Sequence, residues 1–353
     1  MKILQLIDVP WDSGLAHYAL VLAEGLKKNG HQVFVSAVPG GKPWMKARRL
    51  GLRTVPLATL KGLNPLRHFL KEHKIDLVNA HTGSTHSLAV ASALGQGVAV
   101  VRTRADARGV QKRVGSWFLY KHTQRVITAA EYIRQAYVKA LQIAPKKIVT
   151  VYQGVSLPDF EGTPLPEETV LGIVARLDPV KGHRYLLEAL HLLKDIYPKV
   201  RLRIIGQEEN IKQRELRGMA ERLRMENRVS FEGFQTQVPR VMAGCSIGVI
   251  ASTGSEAVSR AAVEWMAAGR PVVATRVGCL PEIVKDGETG FLADPKDAPS
   301  LARALAVMLH DPTRTAAMGK AARQRAEKLF GIPRFVEETL SVYKDALAEI
   351  RRS

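Results

Sequence analysis

The chain has 353 residues, 46% hydrophobic and 24% charged, which excludes a disordered or fibrous chain and suits two globular domains. Its two cysteines, Cys245 and Cys279, exclude a disulfide framework and belong to no metal-spaced cluster, and no run of about 18 apolar residues is present to span a bilayer. The net charge of +19 is uneven: residues 1–160 hold 23 Lys+Arg against 8 Asp+Glu, and residues 161–353 hold 29 against 25. The first half therefore calls for a negative partner, such as anionic lipid headgroups, a phosphorylated acceptor or nucleic acid, unless the whole proteome is basic.

The opening run Met1–Trp11 is short, is broken by Asp8 and has no small-residue cleavage site, so it reads as a strand and not as a signal peptide. Unpaired thiols give a reducing compartment, most simply the cytoplasm. Strands are expected at Lys2–Ile7, Gln32–Ala37, Ile75–Ala80, Val98–Thr103, Val126–Ala129 and Ile148–Val151, with amphipathic segments between them. In Leu15–Lys28, for example, Leu15, Ala19, Leu22 and Leu26 recur at helical spacing. The pattern pauses over Gly154–Glu168, where Pro158, Gly162, Pro164 and Pro166 mark a linker. It resumes with Val170–Arg176, Val200–Ile205, Val229–Phe231, Ile247–Ala251 and Val272–Thr275, and from about Ala298 the chain reads as almost wholly helical. Alternating strands and helices give βαβ units and parallel sheets. The expected class is α/β, with two doubly wound Rossmann-like domains facing across a cleft. The domains are 1–157 and 168–330, and a helix over 331–353 could cross back to the first.

Ligands of such sheets bind beyond the carboxyl ends of the strands, where strand order reverses, so the turns after strands are where chemistry is sought. After the first strand, Asp12-Ser13-Gly14 offers a cap in Ser13 and close backbone approach at Gly14, a helix start that could hold phosphate or be a plain capped turn. After the first strand of the second half come Arg176 and, five residues on, Lys181. Two cations set against a helix dipole argue for a bound anion, and their donors suit a diphosphate. After Ile247–Ala251, Glu256 stands in a turn, Ser259 and Arg260 open a helix whose amides could take phosphate oxygens, and Glu264 lies about two turns on. A carboxylate in so apolar a helix needs a partner: a ribose diol, or Arg260 four residues earlier. Gly206 and Phe234, at further strand ends, are placed to flank a base.

The segment Glu256-x7-Glu264, followed by Ala268-Gly269-Arg270-Pro271-Val272-Val273, resembles the donor-site signature of the family-4 retaining glycosyltransferases. The Arg176-x4-Lys181-Gly182 turn resembles that family's phosphate-binding turn. Gly278-Cys279-Leu280-Pro281-Glu282, Asp286-Gly287-x-x-Gly290-Phe291 and Tyr152-Gln153-Gly154-Val155 are further echoes, so the likeness runs over nearly the whole chain. The resemblance implies a retaining transferase of the two-Rossmann GT-B type, acting from a nucleotide-sugar donor. In it, Arg176 and Lys181 neutralise the leaving diphosphate, Glu264 holds the ribose and Glu256 meets the donor sugar. It implies no cofactor and no essential metal, and no Asp-x-Asp pair is present to seat one.

On the acceptor side, His81, Arg104 and Asp106 stand at strand ends. His81 could touch substrate or pack locally, and Asp106 could handle an acceptor hydroxyl or merely pair with Arg102 or Arg104. Gln111–Arg125, which interleaves Trp117, Phe118 and Tyr120 with Lys112, Arg113, Lys121 and Arg125, suits a membrane interface. Leu63–Lys74 is a second such segment. The expected partners are thus a nucleotide-sugar, a saccharide or lipid-linked acceptor in envelope polysaccharide or lipopolysaccharide synthesis, and an anionic membrane face. The alternatives are an epimerase or phosphorylase on the same fold, though no pyridoxal-binding lysine site is seen, and a nucleic-acid binder, for which no recognition module is present.

Overall fold

Thirteen short strands form two wholly parallel sheets in the computed structural model, which describes all residues except Lys61, Gln111, Arg113, 158–165, Glu167 and Ser353. The linker markers Pro158, Gly162 and Pro164 and the basic Arg113 therefore lie outside the described residues. Contacts divide the chain into two units, Met1–Gly154 with Ile332–Ser353, and Val155–Gly331.

The first unit holds β1 (Lys2–Leu6), β2 (Gln32–Ala37), β3 (Arg53–Pro56), β4 (Leu77–Ala80), β5 (Ala99–Arg104), β6 (Arg125–Thr128) and β7 (Ile148–Thr150), in the order β3-β2-β1-β4-β5-β6-β7. The second holds β8 (Val170–Val174), β9 (Arg201–Ile205), β10 (Val229–Phe231), β11 (Ile247–Ile250), β12 (Val272–Thr275) and β13 (Gly290–Ala293), in the order β10-β9-β8-β11-β12-β13. In each sheet the order reverses once, between β1 and β4 and between β8 and β11. Strands covered on both faces need continuous apolar runs, and β4, β11 and β12 are buried throughout.

Two strands were not among those expected. Both are four residues long: β3 is an edge strand ending at Pro56, and β13 opens at Gly290. Counting β3, His81 follows the fourth strand and Asp106 the fifth, not the third and fourth.

The helical tail comprises Ala298–His310, Pro312–Phe330 and Ile332–Arg352. The last of these packs within the first unit. Phe335 meets Tyr18 edge to face at 4.8 Å, and Val336 occupies the space that a Cβ on Gly25 would need. Tyr343 reaches the sheet interior, where its hydroxyl accepts from Gln5 Nε2 at 3.2 Å and Asn79 Nδ2 at 2.7 Å.

Candidate functional site

In the second unit, the turns after β8 and β11 meet at the point where strand order reverses. β8 ends into Arg176 and then Asp178, whose carboxylate accepts from the Val180 amide at 2.9 Å and from Asn210 Nδ2 at 2.6 Å. Burial pushes the Asp178 carboxyl up, but the Val180 amide, Asn210, Arg176 and Lys181 together outweigh it and hold the group below the usual range. The cap shapes the turn Pro179–Lys181. Gly182 closes it at φ +70°, where a Cβ would stand 1.9 Å from the Ala251 carbonyl oxygen. Only glycine lets this turn lie against the end of β11.

That close approach joins Lys181 to Glu256. The ammonium lies 2.5 Å from Glu256 Oε1, which also accepts from Ser252 Oγ at 2.6 Å. The carboxylate is 5% exposed, so this pair is largely withdrawn from water. Ser252 is itself fixed, because its carbonyl accepts from Thr275 Oγ1 at 2.6 Å. The backbone of Glu256 is pinned from the turn after β12, where Cys279 N donates to its carbonyl at 2.8 Å.

The other expected residues surround this pair. Arg176 donates to Glu209 Oε1 at 3.0 Å, both side chains being about half exposed. The turn carrying Glu209 is tied to Leu177, whose carbonyl accepts from the amides of Glu209, Asn210 and Ile211. Ser259 is buried and precedes the Arg260–Ala267 helix without a side-chain cap, so the first amides of that helix are disposed for an anion. Arg260 pairs with Glu264 at 3.1 Å, the local alternative raised by their spacing. Burial raises the Glu264 carboxyl above its usual range, and Arg260 only partly opposes it. Gly206, at the end of β9, stands where a Cβ would lie 1.8 Å from the Ala175 carbonyl oxygen, and Phe234, beyond β10, is 70% exposed. Each expected cation thus meets a carboxylate: Arg176 with Glu209, Lys181 with Glu256, Arg260 with Glu264. Sequence reading passed over Ser252, Glu209 and Asn210. The Asp178-Pro179 cap alone carried a local signal, as an acid before proline at a turn start.

In the first unit, Ser13 Oγ accepts from Ala16 N at 3.2 Å and caps the Gly14–Lys28 helix. A Cβ on Gly14 would meet nothing within 4 Å, so the fold itself does not demand glycine there. Ser84, after β4, donates to Asp8, after β1. His81 is not at an open strand end. It is fully buried, with Nε2 2.7 Å from Gln5 Oε1, and burial, with Arg102 beside it, pushes its pKa down to about 3. Arg104 and Asp106 pair with each other at 3.0 Å, and Arg102 is not the partner of Asp106 but donates to the Ala80 carbonyl at 2.9 Å. Among the described residues, no three His, Cys, Asp or Glu side chains gather as a metal site.

Two family patterns cover these turns: "Glycosyltransferase Family 4" over residues 13–158 and "Glycosyl transferases group 1" over residues 159–325. The chain belongs to the family-4, group 1 glycosyltransferases. Gly14, His81, Arg104 and Asp106 fall in the first stretch, and Arg176, Lys181, Gly206, Phe234, Glu256, Ser259, Arg260 and Glu264 in the second. A D-inositol 3-phosphate glycosyltransferase of Streptomyces scabiei is 31% identical over 259 residues, 68% of this chain and 58% of that protein. The chain spans 64% or less of the length of the curated relatives it matches. The fold matches a glycosyltransferase from Rickettsia africae at TM-score 0.88 and 19% identity, covering 98% of each chain. It also matches Anabaena HepE in complex with UDP at TM-score 0.82 and 23% identity, covering 97% of this chain and all of that one. Both carry the GT-B fold, two Rossmann-like α/β halves.

Proposed function

We propose that the chain transfers a sugar from a nucleotide-diphosphate donor to a saccharide or lipid-linked acceptor, with retention of anomeric configuration and without a divalent metal, in envelope polysaccharide or lipopolysaccharide synthesis. The observation that carries this reading is the Lys181–Glu256 contact at the β8/β11 reversal, beside an uncapped helix start. When the donor binds, its diphosphate takes Lys181 and Arg176 over from their carboxylate partners and accepts from the amides after Ser259. Glu256, released from the lysine, offers oxygens to the donor sugar hydroxyls, and Glu264 turns to the ribose. As the anomeric C–O bond breaks, its electron pair stays on the diphosphate, where fixed donors stabilise the growing charge. HepE was solved with UDP, so uridine diphosphate is the first nucleotide to try.

Contact with an anionic membrane belongs to the same reading. Trp117 and Phe118 are exposed, and the Lys121 ammonium lies 4.9 Å from the Trp117 ring centroid. Co-sedimentation with neutral and anionic vesicles tests it, and equal partitioning into both ends it.

For the transfer itself, Glu256→Ala is expected to abolish nucleotide diphosphate release from nucleotide-sugars, and Glu264→Ala to weaken donor binding above all. The cognate nucleotide, at about 100 times its dissociation constant, adds roughly 2.7 kcal/mol of stability. Undiminished release by Glu256→Ala, or no thermal shift with UDP, GDP, ADP or TDP, defeats the assignment.

A further inference from the structure

The amino-terminal edge of the first sheet carries a cavity of about 580 Å³, lined by Arg67, His68, Lys71 and Lys74 with Gly95 and Gln96, and floored by Leu70, Ile75 and Val98. Ile75 and Val98 precede β4 and β5, whereas Gly14, His81, Arg104 and Asp106 follow their strands. The cavity is therefore at the opposite end of the sheet from the residues described above. Three permanent cations share its wall with no carboxylate in the lining. Arg67 and Lys71 stand four apart on the Leu63–Glu72 helix, a spacing at which like charges repel. Of the acids on the neighbouring chain, Glu72 pairs with His68 at 3.5 Å and Asp76 accepts from the Lys2 amide at 2.7 Å, while Arg67 is anchored to the Leu94 carbonyl at 2.9 Å, at the end of the Gly83–Ala93 helix.

Lys74 adds a second, independent observation. It closes the Leu63–Glu72 helix in the left-handed region at φ +51°, donating from its amide to the Lys71 carbonyl, while Ile75 N donates to Leu70 O. Glycine is the ordinary residue at such a closure, as at Gly30 and Gly51 with φ +79° and +61°, although Arg224 closes the Gln213–Arg222 helix with the same bonds at φ +56°. A lysine held there at a backbone cost sets an ammonium at the mouth of the cavity.

We infer that this cavity is a binding site for a phosphate group, whether of a free phosphate or of a phospholipid headgroup. Lys71 and Lys74, both exposed, supply the ammonium donors, and Arg67 supplies a guanidinium fixed in orientation by its carbonyl anchor.

The test is titration calorimetry on the full chain carrying Arg176→Ala and Lys181→Ala, which removes both cations of the candidate donor site; binding that persists there is recognised by its indifference to changes at Lys71 and Lys74. The probes are inorganic phosphate and dihexanoylphosphatidylglycerol below its micelle concentration. Binding of inorganic phosphate identifies a free phosphate ligand, and binding of the lipid alone identifies a headgroup. With either, adding Lys71→Glu and Lys74→Glu together is expected to weaken affinity roughly tenfold or more. Lys74→Gly, which relieves the left-handed strain, is expected to weaken the probe as well while keeping or raising the unfolding midpoint. A purely structural lysine would not separate those two readouts. Failure of both probes to bind, or affinity unchanged in Lys74→Gly, overturns the site.

Discussion

Arg176 and Glu209 meet at 3.0 Å with half-exposed side chains, a pair of the kind worth about 0–1 kcal/mol. If Glu209 competes with the donor diphosphate for the guanidinium, Glu209→Gln removes the competitor. Steady-state kinetics should then show donor KM lower by up to about fivefold with kcat unchanged. An unaltered KM would mean that Glu209 does not hold Arg176 back from the donor. Glu264 behaves differently because it is more deeply set, its side chain 22% exposed. Its carboxyl is raised in the fold, so the ionised form costs stability at neutral pH, a cost that vanishes as pH falls below the unfolded value. Glu264→Gln is therefore expected to leave the ligand-free protein as stable or up to about 1 kcal/mol more so, while nucleotide affinity falls, as read by denaturant titration and calorimetry. The Arg260–Glu264 pairing was legible because helix neighbours four apart meet wherever the helix lies. The Lys181–Glu256 pairing was not, since 75 residues separate them and only sheet order brings them together.

Among elements, the Ile332–Arg352 helix does most to complete the first unit. Its Tyr343 hydroxyl accepts from two buried amides, and Gln5 and Asn79 continue the chain of contacts to His81 and to Thr103, whose Oγ1 donates to Asn79 at 2.8 Å. Tyr343→Phe leaves those amides unpaired, an expected loss of about 1–3 kcal/mol in chemical denaturation. A change below about half a kcal/mol would mean that the network re-pairs without the hydroxyl. In the second unit, Trp265 packs against β8 and β11 at Gly172 and Gly248, where added Cβ atoms would come within 2.5 Å and 2.4 Å of the indole. This packing holds the Arg260–Ala267 helix, which begins four residues after Glu256. Most strands were legible from apolar runs between turn residues. β3 and β13 were not, because four residues at a sheet edge carry too little pattern, and neither Arg53 nor Gly290 favours a strand reading.

For the molecule as a whole, three buried histidines add a pH dependence opposite in sign to that of Glu264. Burial pushes His81 and His86 down to about 3 and His183 to about 4. All three stay neutral in the fold while the unfolded chain takes up protons below about 6.5. Their contribution to stability is thus complete above that pH and is lost as pH falls toward the folded values. Each should contribute up to about 1.4 kcal/mol per pH unit to the slope. Denaturant midpoints measured from pH 7 to pH 4 should fall steeply below 6.5, and His183→Gln should flatten the curve by one proton. A flat profile from 6.5 to 5 would mean that these imidazoles are reached by water.

Local information settled the class, the alternation of elements and the family signature, because periodicity and turn chemistry are written within ten or twenty residues of chain. The tertiary structure alone decided that Lys181 meets Glu256 and Arg176 meets Glu209, that His81 lies inside and not at a strand mouth, and that the last helix belongs to the first unit. It also gathered Arg67, Lys71 and Lys74 around one hollow. Those outcomes depend on strand order and on burial, which bring distant residues together and strip them of water, and neither is encoded in any short stretch of sequence.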